Sequence, residues 1–384
     1  MANKLKLPIA TVIGENALNE AEDILFKLGK SAFIVAGKSM IRQGHINSLT
    51  MILEKNGISV TIFSEISNEP TDEDINKGIT LYRKHNADFI IGFGGGSQLD
   101  AAKAIGILVN NPAPISNYMG KEIPNNLPPL VEIPSTAGTG SEATPFTIIT
   151  DTKTQVKMLL KGDMLMPTLA IIDPLFSSKT PRSISVCTGL DALTHAIEAF
   201  TSKKAFSESD IFAISAIRRI FTYLPKVLVD DDDISAREQM AIAAYEAGVS
   251  FSNSSVTIVH GMSRPIGALF HIPHGLSNAM LLKNCLEYIA DGAYSQFAEL
   301  AREIGVSDTA GNHKQATENF IKAVDDLCRL CEVPTLQEYG INKTEYFNSI
   351  EKMANDAIAS GSPANTRKNI STTDVVQIYN QLWK

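Results

Sequence analysis

From the N-terminus to about residue 180, short apolar runs alternate with amphipathic stretches. SAFIVAG (31–37) and SVTIFS (59–64) are β-rich runs, and ADFIIGF (87–93), PLVEIPS (129–135) and TLAIID (168–173) read as further strands. TDEDINKGITLYRKHN (71–86) predicts a helix, with Thr71 at its N-cap and acids in the first turn, where they face the positive end of the helix dipole. The segment after ADFIIGF, GGGSQLDAAKAIGILV, is helical in its second part. Strands alternating with helices predict a parallel sheet covered on both faces. Beyond residue 180 the pattern changes. GLDALTHAIEAFTS, SDIFAISAIRRIFTYLPKVL, AREQMAIAAYEAGVSFSN, AYSQFAELAREIG and KQATENFIKAVDDLCRLC are helical stretches in series, with no convincing strand among them. The pattern therefore predicts an α/β domain over residues 1–180 and an all-helical domain over 181–384, with no internal repeat and no low-complexity segment.

Composition narrows this picture. A chain of 384 residues suggests about two domains, and an apolar fraction of 44% fills sizeable cores. A net charge of −8 with interspersed acids and bases argues against a nucleic-acid surface. The run Asp230–Asp233 reads as a solvated loop and the cap of the next helix rather than a metal site. Four cysteines are too few and too scattered for a disulfide scaffold, and Cys328 and Cys331 read as two small apolar residues one helical turn apart. No apolar run is long enough to span a bilayer and MANKLKLPIA carries no signal region, so a soluble cytoplasmic protein is expected.

Two segments rich in small residues suggest phosphate chemistry. IGFGGGSQLDAAKAIG places Gly94, Gly95, Gly96 and Ser97 between a strand and a helix, where glycines admit a phosphate close to the backbone and the helix N-terminus offers N–H groups. The motif is not GxGxxG, and the usual acid some twenty residues later is missing. EIPSTAGTGSEAT (132–144) adds the hydroxyls of Ser135, Thr136, Thr139, Ser141 and Thr144 around Gly138 and Gly140, although its composition alone fits a polar surface loop.

Histidines supply the other signal. In GLDALTHAIEAF, Asp191 and His195 stand four residues apart, on one face of a helix with apolar neighbours. VHGMSRPIGALFHIPHG (259–275) holds three of the seven histidines, His260, His271 and His274, and Pro265 and Pro273 are expected to interrupt any long helix there. Asp191 with three of the four imidazoles of His195, His260, His271 and His274 makes a four-coordinate shell suited to Fe(II), Zn(II) or Co(II). His45, His85 and His313 lie in polar contexts and are expected at the surface.

Together, GGGSQLDAAKAIG, PSTAGTGSEAT, GLDALTHAIEAF and HGMSRPIGALFHIPHG resemble the iron-dependent (group III) alcohol dehydrogenase family of the dehydroquinate-synthase-like superfold, in order over nearly the whole chain. The resemblance implies an α/β N-terminal domain with a parallel dinucleotide-binding sheet, an all-helical C-terminal metal-binding domain, and a cleft between them. It assigns Asp191, His195, His260 and His274 as metal ligands for Fe2+, with Zn2+ as the alternative. It places Gly95, Gly96 and Ser97 at the pyrophosphate of NAD(H) or NADP(H), and lines the cofactor site with Asp100, Thr136, Thr139 and Lys157. It implies hydride transfer between the nicotinamide and a small primary alcohol or aldehyde, and a homodimer or larger homo-oligomer.

Two departures stand out. Gly37, followed by Lys38, occupies the position where many NAD-preferring relatives carry an acid, which leaves NADP(H) open. Arg264 stands where many relatives have a histidine, four residues after His260. A guanidinium beside a metal calls for an anion. That anion is either an acid of the other domain or a substrate carboxylate, sulfonate or phosphonate, as in sulfoacetaldehyde or succinic semialdehyde. His271 is then the nearest residue to relay a proton. A dehydroquinate-synthase-like lyase and a non-catalytic metal-stabilised binding protein are the rival readings. The first lacks a cluster of basic residues, and the second leaves the glycine loops unexplained.

Overall fold

The computed structural model describes residues 2–66, 69–308 and 312–383. They fall into two compact units, Lys6–Thr180 and Pro181–Lys384, the latter joined by the first residues of the chain.

The first unit contains strands β1 (Ala10–Ile13), β2 (Ser31–Ala36), β3 (Ser59–Phe63), β4 (Phe89–Gly94), β5 (Leu130–Pro134), β6 (Phe146–Asp151), β7 (Val156–Lys161) and β8 (Leu169–Ile172). Its helices are α1 (Ala17–Glu20), α2 (Glu22–Leu25), α3 (Lys38–Arg42), α4 (His45–Lys55), α5 (Asp72–His85) and α6 (Gly96–Asn110). Six strands form a parallel sheet in the order β1-β8-β5-β4-β2-β3. Alternate side chains enter two cores. Ile34, Ile91 and Val131 pack with Met40, Leu49 and Leu53 of α3 and α4, and Phe33, Ile90 and Leu130 pack with Ile75, Ile79 and Ile105 of α5 and α6. Burial on both faces explains why these strands read as near-continuous apolar runs.

The helix expected at 71–86 forms as α5. Thr71 Oγ1 accepts the Asp74 N–H at 3.1 Å and Asp74 returns a bond to the Thr71 N–H, so two orphan donors are satisfied reciprocally. Two features were not anticipated. One is β1, whose four residues are only partly buried at the sheet edge; the other is the antiparallel hairpin β6–β7.

The second unit is helical: α7 (Arg182–Thr201), α8 (Ser207–Val229), α9 (Ile234–Ser254), α10 (Ile258–Phe270), α11 (His274–Ile289), α12 (Tyr294–Glu303), α13 (His313–Leu330), α14 (Lys343–Ala359) and α15 (Thr372–Gln381). Helix α7 packs against α8, α9 and α11, and every residue from Gly189 to Thr201 is buried. Asp233 caps α9, its carboxylate accepting the Ala236 N–H at 2.8 Å, as the acidic run suggested. Cys328 and Cys331 are buried and free. The expectation that Pro265 interrupts a helix fails, because α10 runs through it from Ile258 to Phe270. The proline removes one intrahelical bond, and burial of Ile258, Val259, Met262 and Ile266 outweighs that loss. Pro273 does separate two helices, as the N-cap of α11. Among the described residues no helix is long and apolar enough to cross a membrane.

Candidate functional site

Three imidazoles converge on one carboxylate oxygen in the helical unit. Asp191 and His195 lie one turn apart on α7, His260 enters from α10, and His274 is the first residue of α11. Asp191 Oδ1 stands 4.0 Å from His195 Nε2, 3.5 Å from His260 Nε2 and 3.8 Å from His274 Nε2. Tetrahedral coordination with bonds near 2.1 Å puts neighbouring ligand atoms about 3.4 Å apart, close to this spacing. Asp191, His195 and His260 are buried, whereas the His274 side chain is 47% exposed.

Two residues not singled out in the sequence complete the site. Glu198, a further turn along α7, accepts from His260 Nδ1 at 2.6 Å through Oε2, and its Oε1 accepts the Thr257 hydroxyl and the Val259 N–H. With Nδ1 donating, the lone pair of His260 Nε2 faces Asp191, an arrangement that asks for a cation between them. Asn278, one turn after His274, donates Nδ2 to Asp191 Oδ1 at 2.7 Å and lies 3.2 Å from His260 Nε2. The spacings H-x-x-E and H-x-x-x-N were the available signals for both.

Electrostatics fit a cation seat. Burial pushes His195 down to about 3, so it is neutral at working pH, and its Nδ1 has no hydrogen-bond partner. Burial alone would raise Asp191, but the three imidazoles hold it well below the usual carboxylate range. Burial opposes charge on His260 too, and is outweighed by the Glu198 and Asp191 carboxylates, which raise it. Nitrogen donors around an ionised carboxylate form the set that a divalent transition metal accepts, and a cation there takes the place of the proton that the two carboxylates favour on His260.

Close packing makes this convergence possible. A Cβ at Gly275 would lie 2.0 Å from the Cys187 carbonyl oxygen and 3.2 Å from Asp191 Cβ. Only glycine lets the first turn of α11 approach α7 closely enough for His274 to face Asp191.

In the α/β unit the small-residue loops meet at the C-terminal ends of three adjacent strands. β2 pairs with β3 on one side and β4 on the other, so the chain reverses direction there, and such switch points open a crevice. Gly37 follows β2 and donates its N–H to Phe93 O at 2.8 Å, and Ser135 follows β5 and donates to Gly94 O at 2.8 Å. A Cβ at Gly94 would meet Gln98 at 2.8 Å, and one at Gly96 would meet Thr139 Cγ2 at 2.8 Å. Gly95 differs, since a Cβ there would come no closer than 3.7 Å, to Thr136. Gly95 is the N-cap of α6, and Ser97 lies in its first turn, where N–H groups lack intrahelical acceptors. The loop Ser135–Thr139 therefore lies directly against the glycine turn, and Lys38, exposed, begins α3 beside Gly37.

Several candidates sit elsewhere or are already engaged. Asp100 receives the Ser141 hydroxyl at 2.7 Å and the Ile148 N–H at 2.9 Å, so it tethers the second loop and the hairpin to α6. Beneath it Lys103, fully buried, donates to the carbonyls of Ser141, Thr144 and Phe146, while both oxygens of buried Glu132 lack hydrogen-bond partners. Burial drives Glu132 well above the carboxylate range against the pull of Lys103, and Glu142 up to about 7. Lys157 pairs with Glu69 at 2.6 Å on the exposed hairpin. Arg264 is half-buried and donates Nη1 to Ser362 Oγ at 3.1 Å. His271 is exposed, caps α10 in a left-handed conformation and accepts the Tyr339 hydroxyl at its carbonyl. His45, expected at the surface, instead packs edge-on against Phe176 with Nε2 buried, because α4 covers the sheet there; His85 and His313 are exposed.

Comparison with known proteins covers both units of the chain. Residues 8–174 match the family model described as iron-containing alcohol dehydrogenase, and residues 185–383 match the C-terminal model of the same family. The NAD-dependent methanol dehydrogenase of Bacillus methanolicus is 33% identical over 97% of this chain and 97% of its own length. The NADPH-dependent butanol dehydrogenase of Clostridium saccharobutylicum is 32% identical over 98% of this chain and 97% of its own. A crystal structure of a 1,3-propanediol oxidoreductase superposes with a TM-score of 0.96 at 31% identity, covering 100% of both chains. The dehydrogenase match leaves the lyase and binding-protein readings without support, and the chain belongs to the iron-containing alcohol dehydrogenase family.

Proposed function

We propose that the protein is a metal-dependent, NAD(P)-linked alcohol dehydrogenase and aldehyde reductase for a small primary alcohol or aldehyde, with Asp191, His195, His260 and His274 as the ligands of Fe2+ or, alternatively, Zn2+. The convergence of three Nε2 atoms within 4.0 Å of Asp191 Oδ1 carries this reading. When bound, a divalent metal supplies Lewis acidity toward the substrate oxygen and the nicotinamide supplies or accepts hydride.

The residues of the chain do the rest. Glu198 fixes the His260 tautomer, and Asn278 holds the Asp191 carboxylate in place. Gly95, with Gly94, Gly96 and Ser97, receives the pyrophosphate; Gly37 and Lys38 flank it; Ser135, Thr136 and Thr139 bind along it. Asp100 holds that second loop through Ser141. Lys157 belongs to the set as a cation whose partner, Glu69, sits in an exposed pair that a ligand anion displaces at little cost. The exposed imidazole of His271 exchanges the reaction proton with solvent.

No acid follows β2, and Lys38 stands there as a cation, so a 2′-phosphate meets no repulsion. The two relatives above divide between NAD and NADPH by name. Free cysteines support a reducing cytoplasmic location. The β1 edge, with Ile9 82% exposed and Ile13 beside it, supports a homo-oligomer, since an apolar sheet edge ordinarily finds a partner. The test is oxidation of NADH and of NADPH at 340 nm with Fe(II) and a panel of short aldehydes. Turnover that chelation abolishes and Fe(II) restores supports the reading, and absence of turnover with every aldehyde and both cofactors overturns it.

A further inference from the structure

We propose that Arg264 is an anion-recognition residue, and that the preferred substrate carries a carboxylate or sulfonate one or two carbons from its carbonyl. This rests on the assignment of the Asp191–His274 cluster as the reacting centre and deepens it by naming the substrate class.

Arg264 and His260 stand four residues apart on α10, on one face of the helix, with an axial rise of about 6 Å between them. A guanidinium carries five N–H donors in a rigid fork. Here one of them, Nη1, has a partner, the neutral hydroxyl of Ser362 at 3.1 Å. Among the described residues no carboxylate lies within ion-pair distance of Arg264. Glu198 is the acid whose charge reaches it, and the oxygens of Glu198 are taken by Thr257, Val259 and His260. The surroundings are apolar or neutral: Pro265 and Ile266 follow it on the helix, and Pro363 packs against Gly261 one turn earlier.

A half-buried guanidinium with one neutral partner has given up water without gaining an opposite charge, and burial accordingly depresses its pKa. A purely structural arginine is ordinarily paired. The fork suits a planar carboxylate or a sulfonate face, which accepts two parallel N–H bonds. One helical turn also fits the length of the substrate. With the carbonyl at the His260 end, an anionic group one or two carbons away falls within reach of the guanidinium. A neutral alkyl chain leaves the N–H groups unsatisfied.

The experiment compares succinic semialdehyde with its methyl ester, of the same carbon skeleton but uncharged, as substrates of the iron-loaded wild-type enzyme, Arg264→Gln and Arg264→Lys. Iron content and NADH and NADPH affinity are measured in parallel. Wild type is expected to favour the anion in kcat/KM. The ratio of anion to ester should fall at least tenfold in Arg264→Gln, chiefly through KM, and less in Arg264→Lys, which keeps the charge but loses the fork. A wild-type enzyme that treats the two alike, or an Arg264→Gln that slows both by one factor, overturns the proposal. Should Arg264→Gln fail to fold, the wild-type ratio and its competitive inhibition by propionate over propanol decide the matter. Reduction of the ester or of propanal but not the anion sinks the anion site alone, whereas turnover of no aldehyde with either cofactor sinks the underlying assignment.

Discussion

Around Asp191 the working atoms belong to side chains, whereas around Gly95 they belong to the backbone. The helical unit carries four ionisable groups on three helices, and the three buried ones are held by their neighbours: His260 by Glu198, Asp191 by Asn278, His195 by stacking on Phe251 at 4.1 Å. The α/β unit offers turns at the ends of three strands, with hydroxyls laid against them. A side-chain site fails when one group is removed. A backbone site tolerates loss of a hydroxyl but not the addition of bulk. This difference predicts how each half responds to substitution.

The largest effect is expected where the side-chain site is cut. His260→Ala should abolish turnover, with metal well below one per subunit by elemental analysis, since the neighbouring imidazoles of His195 and His274 already hold places of their own around Asp191. Gly275→Val should do the same while leaving all four ligands in the sequence, because the added bulk pushes α11 off the Cys187 carbonyl. A Gly275→Val protein with full metal and full activity would show that the close helix approach is dispensable. Glu198→Gln should be milder. The carboxamide cannot hold His260 with the same charge, so metal affinity should drop about 10- to 100-fold, read by competition with a chelator. Unchanged affinity would reduce Glu198 to a packing residue.

The backbone site sharpens the contrast. Gly95→Val should lose dinucleotide binding in a fluorescence titration, and a thermal melt of the same variant separates that loss from misfolding; its Cβ would come no closer than 3.7 Å to Thr136. Ser97→Ala removes one bond to a charged acceptor and should weaken binding by about 1.5–3 kcal/mol, short of abolishing it. Equal, unperturbed affinity in both variants would move the pyrophosphate elsewhere.

The smallest effect concerns pH. Glu132 is buried and keeps its proton in the folded state well above 4.5, while the unfolded chain releases it near that value. The folded state therefore binds more protons over that window, and stability falls as pH rises from about 4.5 toward the raised pKa. Glu132→Gln should remove this loss, so the variant gains on wild type in thermal melts as pH rises above about 4.5. A difference that stays constant over that range would mean Glu132 is ionised in the folded protein.

Much of this molecule was legible in the sequence because burial leaves a pattern. β2, β4 and β8 are covered on both faces and appear as apolar runs, and α5 carries its cap and its dipole charges openly. β1 and the hairpin β6–β7 did not show, since edge residues that are partly exposed need no apolar run. In the candidate site the family resemblance singled out Asp191 and the three imidazoles that stand around its Oδ1. It did not show Glu198 or Asn278, whose roles depend on which nitrogen of which imidazole they touch. Glu132 was hidden for a related reason. Within LVEIP it reads as the polar position of a strand, and only the three-dimensional packing puts α6 and Gly92 against it. Pro265 misled because local propensity forbids what buried contacts along α10 then sustain.

The pairing of β1 with β8 has a consequence in time. Ala10 pairs with Leu169, so this strand finds its neighbour only about 160 residues later in synthesis, roughly 10–30 s at ordinary rates. Until then β8 does not exist, and β5 and β1 both wait for it with unsatisfied edges. Closure of the sheet should therefore be late, and truncation before residue 169 should yield nascent chains in which β2, β3, β4 and β5 are assembled while the first strand stays open to proteases.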